Sequence, residues 1–222
     1  FVEGLRVTDA ETLLVVTAVL AGLANKRLVT HLRTAGLNAV GISGVDGGIL
    51  EVIPHEDHAR LGAVGVVTDV QPALLRALLS AGWTPVVAGV GAHEGNLLNL
   101  NADEVARALA VRLQVDDLIL LSDTAALRIN DQPVPRVMAD EVDDFLDHPD
   151  VTDGMRPKLR ASRDALIGGV PRVHIGTWTG PDTLKLILSG RAGGTTFYRD
   201  PHIADPRILP NREAETLETG HD

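Results

Sequence analysis

The 222-residue sequence contains no cysteine. That absence removes disulfides, thiolate metal sites and cysteine nucleophiles together. It suits a reducing compartment, and a cytoplasmic location is the expectation. Aromatic residues make up only 3% of the chain, so alanine, valine and leucine must fill most of its core. Lysine occurs at Lys26, Lys158 and Lys185 alone, and arginine supplies the rest of the positive charge. The formal net charge is -10. Nucleic-acid affinity rests mainly on neutralising phosphates, so a general polyanion binder is excluded, and no nucleic-acid partner is expected. No uninterrupted apolar run approaches the ~18 residues that span a bilayer, so no membrane partner is expected either.

Several catalytic signatures are also missing. There is no G-x-x-x-x-G-K-[ST] phosphate loop and no H-E-x-x-H zinc motif. The glycines of "GISGVDGG" lack the G-x-G-x-x-G spacing, and "GISG" is not a G-x-S-x-G nucleophile elbow. The eight histidines are scattered, and His55 and His58 share a predicted hairpin without forming a metal set.

What is present reads as α/β. The chain is 45% hydrophobic with 22 glycines, enough for one large domain or two lobes. Apolar positions at Leu13, Val16, Leu20 and Leu23 predict a helix over residues 8–35, with Thr8 and Glu11 at capping-box spacing. A strand over 39–42 follows, then a hairpin over 49–67. Pro72 opens a helix that Gly82 closes. "TPVVAGV" reads as a buried strand and "GAHEGNLLNL" as a loop or small hairpin. A helix over 102–113 precedes "LILLS", an apolar strand of the kind buried on both faces. Helices near 141–146 and 154–167, a strand at "RVHIG", a helix at "DTLKLILSG" and a strand at "TTF" complete the alternation. Helices of this length between strands predict a mainly parallel sheet. After Tyr198 the chain turns polar and acidic, with prolines at 201, 206 and 210, and reads as a flexible tail.

Four stretches carry candidate chemistry. In "NLNADE", Asn101 and Glu104 have the spacing of a helix cap, Asp103 falls in the first turn, and Asn99 lies four residues before it. Taken alone, plain capping explains that stretch. In "VTDGMRPK", Pro157 marks a first helical turn, which puts Lys158 at the end of the helix where a cation is disfavoured. A bound phosphate would account for it, and so would ordinary solvation. In "LILLSDTAAL", Ser122 and Asp123 stand at the carboxyl end of a strand, the edge where open α/β sheets bind ligands. In "EGLRVTD", Arg6 precedes a helix and has the fork geometry for a carboxylate, or for a surface salt bridge.

The strings "GLRVTDAET", "LAGLANK", "AVGISGVDGG", "LLSAGWTPVVAGVG", "NLNADEVA", "LILLSD", "VTDGMRPK" and "GGT" resemble the amino acid kinase family, and within it the acetylglutamate kinases. They occur in the family's order across residues 1–197. The resemblance implies a three-layer αβα sandwich. It implies an acyl-amino-acid-binding lobe over 1–98, a nucleotide-binding lobe over 99–198 and a tail over 199–222. It also implies ATP and Mg²⁺ as cofactors, N-acetyl-L-glutamate as substrate and a homodimer.

Site roles follow from the same resemblance. Arg6 would bind a carboxylate of the substrate and Asn99 would hold the substrate beside it. Asp103 would organise the active-site lysines, and Lys158 would stabilise the transferring phosphoryl group. Ser122, Asp123, Thr124, Ala125, Leu127 and Arg128, with Asp150, Val151 and Thr152, would line the nucleotide site. The hairpin over 49–67 would be a lid. The family's K-x-G-G strand and H-G-G-G turn precede the matched region, on the order of 60 residues. The expectation is therefore that N-terminal strands are missing and that these 222 residues alone are inactive. Two neighbouring readings stay open: a kinase of carrier-protein-bound aminoadipate or glutamate, and a non-catalytic ligand-sensing module of the same fold.

Overall fold

A computed structural model describes residues 5–124, 126–151, 154–191 and 193–200. The first helix runs from Ala10 to Thr34 in three parts: α1 (Ala10–Val16), a π-helical segment (Thr17–Ala24) and α2 (Asn25–Thr34). Its cap is Asp9, whose carboxylate accepts from the Thr12 amide at 2.7 Å, and not Thr8 as the capping-box spacing suggested. Thr8 is fully buried and its hydroxyl is engaged elsewhere, which leaves the cap to its neighbour. By length and composition alone this helix is long and apolar enough to cross a membrane, although its apolar run is interrupted. Asn25 fastens it to the protein instead, donating to the Val86 carbonyl at 2.8 Å and the Ile42 carbonyl at 3.3 Å.

Those two carbonyls belong to β1 (Ala39–Ser43) and, further on, β4 (Thr84–Ala88), which pair in parallel. Between them lie β2 (Leu50–Pro54), the short α3 (His58–Leu61), β3 (Val64–Val70) and α4 (Ala73–Ser80). β2 and β3 form the expected antiparallel hairpin, with a register shift at Glu51 and Val52. β5 (Val90–His93) and β6 (Asn96–Leu100) make a second hairpin, and β6 pairs in parallel with β3. The resulting sheet has the order β2-β3-β6-β5.

α5 (Ala102–Leu113) matches its predicted bounds, starting at Asn101 and ending where Gln114 turns left-handed at φ 56°. β7 (Asp117–Leu121) then opens the second half. It alternates buried Leu118 and Leu120 with more exposed neighbours, so its two faces are covered unequally and it is not buried on both as its apolar run suggested. Three short strands follow: β8 (Arg128–Ile129), β9 (Gln132–Pro133) and β10 (Arg136–Met138). After α6 (Val142–Leu146) and α7 (Arg156–Ile167) come β11 (Arg172–Gly176), α8 (Thr183–Leu188) and β12 (Gly194–Tyr198). The second sheet has the order β10-β12-β11-β7, with parallel pairing except between β11 and β12.

Each sheet has its own apolar core. Val52, Val67, Leu75, Leu98 and Leu100 anchor the first, and Leu120, Val137, Leu159, Val173 and Phe197 the second. α5 serves both: Val105 and Ala108 face the first core and Ala110 the second. Ala108 and Ala110 are two residues apart and so lie roughly 200° apart around the helix, which therefore turns a different face to each core. The first turn of α5 is thereby held at the junction of the two halves.

Candidate active site

The end of β6 and the start of α5 build the centre of the site. The Asn101 side chain accepts from the amides of Asp103 at 2.9 Å and Glu104 at 3.1 Å, which fixes the first helical turn. With the backbone capped by Asn101, the Asp103 carboxylate is available for another partner. Lys158 supplies it: the ammonium reaches the two Asp103 oxygens at 3.1 and 2.9 Å. Both side chains are mostly buried, at 16% and 17% exposure. Lys158 sits in the first turn of α7, just after Pro157, where the helix dipole disfavours a cation. Asp103 offsets that penalty. An ammonium has three N–H donors, and bonding to one carboxylate leaves donor capacity for an arriving anion.

The Arg6 segment is held from the first sheet. The Thr8 hydroxyl donates to the Arg6 carbonyl at 2.8 Å and accepts from the Asn99 side-chain amide at 3.0 Å. The Thr8 amide donates to the Leu61 carbonyl at 2.8 Å, and the Ala63 amide donates to the Thr8 carbonyl at 2.7 Å. The Asn99 amide donates to the Ala63 carbonyl at 2.9 Å. Gly62 makes this junction possible. Its φ is 72°, and a Cβ there would lie 2.2 Å from the Thr8 carbonyl oxygen. Asn99 is buried and Arg6 exposed, so the Asn99 side chain orients the Arg6 backbone from within.

A cavity of about 540 Å³ lies in the second half. Of the residues expected around the nucleotide, Thr124, Leu127, Arg128, Asp150 and Val151 line it. Ser122 and Asp123 are not among its lining residues; the Ser122 hydroxyl donates to Asp123 at 3.1 Å. That bond, followed by the Thr124 amide, holds the exposed Asp123 carboxyl below its ordinary range. Ala125 and Thr152 lie outside the described residues. Ala126, within the expected segment, lines it too, and the sequence reading missed Asn130, Asp131 and Met155, which also line the cavity. Asn130 and Asp131 form the β8–β9 turn at φ 50° and 61°, and the Asn130 amide donates to Asp150 at 2.6 Å. Leu127 is fixed by its amide donating to the Thr195 hydroxyl at 2.9 Å.

A second cavity, about 570 Å³, lies between the β2–β3 hairpin and the helices α5 and α7. Leu5, Asn101 and Glu104 border it; Asp103 and Lys158 do not. The Glu104 carboxylate accepts from the Val67 amide at 2.8 Å. Burial pushes its pKa up from the ordinary value, against the opposing pull of that bond and of Arg107. Sequence reading treated Glu104 only as a capping residue. Its bond to β3 spans too many residues to be read from local spacing.

The profile of the amino acid kinase family matches residues 2–177. The chain belongs to the amino acid kinase family. An acetylglutamate kinase of Methanopyrus kandleri is 48% identical over 202 residues, covering 86% of this chain and 79% of that protein. An acetylglutamate kinase of Chloroflexus aggregans is 40% identical, covering 90% of this chain and 76% of that protein. Among solved structures, an N-acetylglutamate synthase from Neisseria gonorrhoeae, complexed with coenzyme A and N-acetyl-glutamate, superposes with a TM-score of 0.78 at 25% identity. That match covers 90% of this chain and 46% of the synthase chain.

Proposed function

We propose that this protein is an acetylglutamate kinase, transferring the γ-phosphoryl group of ATP to the side-chain carboxylate of N-acetyl-L-glutamate. The observation that carries this reading is the Asp103–Lys158 pair at the adjoining starts of two packed helices, in a chain 48% identical to a kinase of that name.

The chemistry asks little of the protein in proton transfer. A glutamate side-chain carboxyl has a pKa of about 4.3, so the nucleophile is already ionised at neutral pH. The barrier is electrostatic, because an anion must approach a polyanionic triphosphate. Positioning and charge neutralisation are therefore the catalytic tasks. Lys158 places a positive charge on the transferring phosphoryl group. Asp103 holds that ammonium in place. Arg6 binds a substrate carboxylate through its guanidinium fork, and Asn99 sets the backbone that presents Arg6.

The adenine nucleotide fits the 540 Å³ cavity, which has the size of a small-molecule site. Thr124, Leu127, Arg128, Asp150 and Val151 would line it, with Ser122 and Asp123 at its approach. Among the described residues there is no group of three or more His, Asp and Glu side chains that could hold a metal ion. Mg²⁺ suits such a site as a companion of the triphosphate, since it binds through phosphate oxygens and few carboxylates. Bound there, it would neutralise phosphate charge.

We place the protein in the cytoplasm as a homodimer. The exposed apolar side chains Leu14, Val15, Leu20 and Leu23 along the first helix support a partner surface of that kind. Steady-state assays with free N-acetyl-L-glutamate and with carrier-protein-bound glutamate test the substrate. Turnover with the free acid and none with the carrier supports the reading. The reverse overturns it in favour of the carrier-dependent kinase.

A further inference from the structure

Strand β3 leaves its partner early. Its parallel pairing with β6 covers only Val64 and Gly65, while the strand continues to Val70. Past that point, among the described residues, the outward polar groups of β3 have no neighbouring strand, and buried backbone groups must be satisfied elsewhere. α5 satisfies two of them through side chains. Glu104 accepts from the Val67 amide at 2.8 Å, and Arg112 donates to the Val70 carbonyl at 3.1 Å. On the other side, Thr68 is the extra residue of the bulge opposite Glu51 and Val52. The hairpin thus changes direction where Glu104 grips it.

The two α5 contacts differ in what they neighbour. Glu104 follows Asp103, the residue that holds Lys158. Arg112 is two turns further down the helix. β3 leads back through Ala63 to Thr8 and the Arg6 carbonyl. Asn99 reaches α5 through the short covalent path of Leu100 and Asn101. The hairpin joins that path only through the short pairing of β3 with β6 at Val64 and Gly65, so beyond Gly65 its placement on α5 depends on packing and on these side-chain bonds.

We infer that Glu104 is a positioning residue: by holding β3 on the first turn of α5, it fixes the hairpin and the Arg6 segment relative to the Asp103–Lys158 pair. This inference rests on the phosphoryl-transfer reading of that pair. Glu104 touches no reacting atom. Its effect is on geometry, and it falls on the substrate carrying the carboxylate rather than on ATP. A charged acceptor on a half-buried amide is among the stronger hydrogen bonds, so its loss is expected to be visible in kinetics.

The test is steady-state kinetics of the full-length protein with Glu104→Ala, Glu104→Gln and Arg112→Ala. Glu104→Ala should raise KM for acetylglutamate about tenfold and leave KM for ATP within about twofold. Glu104→Gln keeps an acceptor oxygen and should return KM to within about threefold of wild type. Arg112→Ala should lower the melting temperature without changing either KM. The inference is overturned if Glu104→Ala keeps wild-type kinetics, if it raises both KM values equally, or if Glu104→Gln is no better than Glu104→Ala. Absence of acetylglutamate-dependent turnover in the wild type overturns the functional reading and this inference with it. Wild-type turnover with an unaffected Glu104→Ala variant overturns this inference alone.

Discussion

Lys158 reaches both carboxylate oxygens of Asp103, at 3.1 and 2.9 Å, although the two residues are 55 apart in sequence and start different helices. Each helix start alone looks ordinary. Together they hold an ammonium where the α7 dipole would otherwise disfavour it. Removing that ammonium with Lys158→Ala should lower kcat by about 10²–10³-fold, the usual cost of losing one preorganised charge-stabilising group. Lys158→Arg should not restore it, because a planar fork cannot replace a point charge at this spacing. Initial-rate assays of both variants check this.

The Thr8 hydroxyl is the joint between Asn99 and Arg6. Thr8→Val keeps the shape and leaves the buried Asn99 amide without that partner. An unmet buried donor costs about 1–3 kcal/mol. The variant should lose that much stability in urea unfolding, and its KM for the carboxylate substrate should rise while KM for ATP stays unchanged.

Gly62 permits the close approach of Thr8 and the hairpin. Gly62→Ala puts a methyl group against the Thr8 carbonyl and forces an L side chain to φ 72°. Backbone strain of this kind costs about 1–3 kcal/mol, before any shift of the hairpin. A thermal melt of the variant should show a clear drop in Tm. An unchanged Tm would mean the junction is looser than described.

Asp117 couples the second sheet to pH. Burial pushes its carboxyl up, but hydrogen bonds from His174 at 2.9 Å and from Arg172 at 2.6 and 2.8 Å outweigh burial and hold it below the ordinary value. A lowered carboxyl binds its proton less tightly in the folded state. Its stabilisation is therefore present above the unfolded value of about 3.9 and is lost as pH falls through the lower folded value. Asp117→Asn should melt at a lower temperature than wild type at pH 7. The gap should close as the pH is taken below about 4. Melts across that range measure it.

Much of the architecture was legible because local signals and packing agree. α5 could be bounded to the residue, since Asn101 is a strong cap and the apolar stripe ends before Gln114. The β2–β3 hairpin and β7 were visible for similar reasons. The β8–β9 hairpin was not, because its turn uses Asn130 and Asp131 at positive φ, where a glycine would have announced it. The helix cap was misplaced by one residue because Thr8 and Asp9 are both good caps, and only the buried Asn99 amide decides between them. Within the site, Asp103 and Lys158 could be named separately, but no spacing rule joins residues on two helices. Glu104 read as a capping acid for the same reason: its partner on β3 is a tertiary contact.

Phosphoryl transfer to acetylglutamate through the Asp103–Lys158 pair would leave an acyl phosphate. The most direct test is to incubate the full-length protein with ATP, Mg²⁺ and N-acetyl-L-glutamate, trap the acyl phosphate with hydroxylamine, and run Lys158→Ala beside it. Hydroxamate should form in dependence on acetylglutamate and nearly disappear in the variant. No hydroxamate from the wild type, or equal amounts from both, would contradict it.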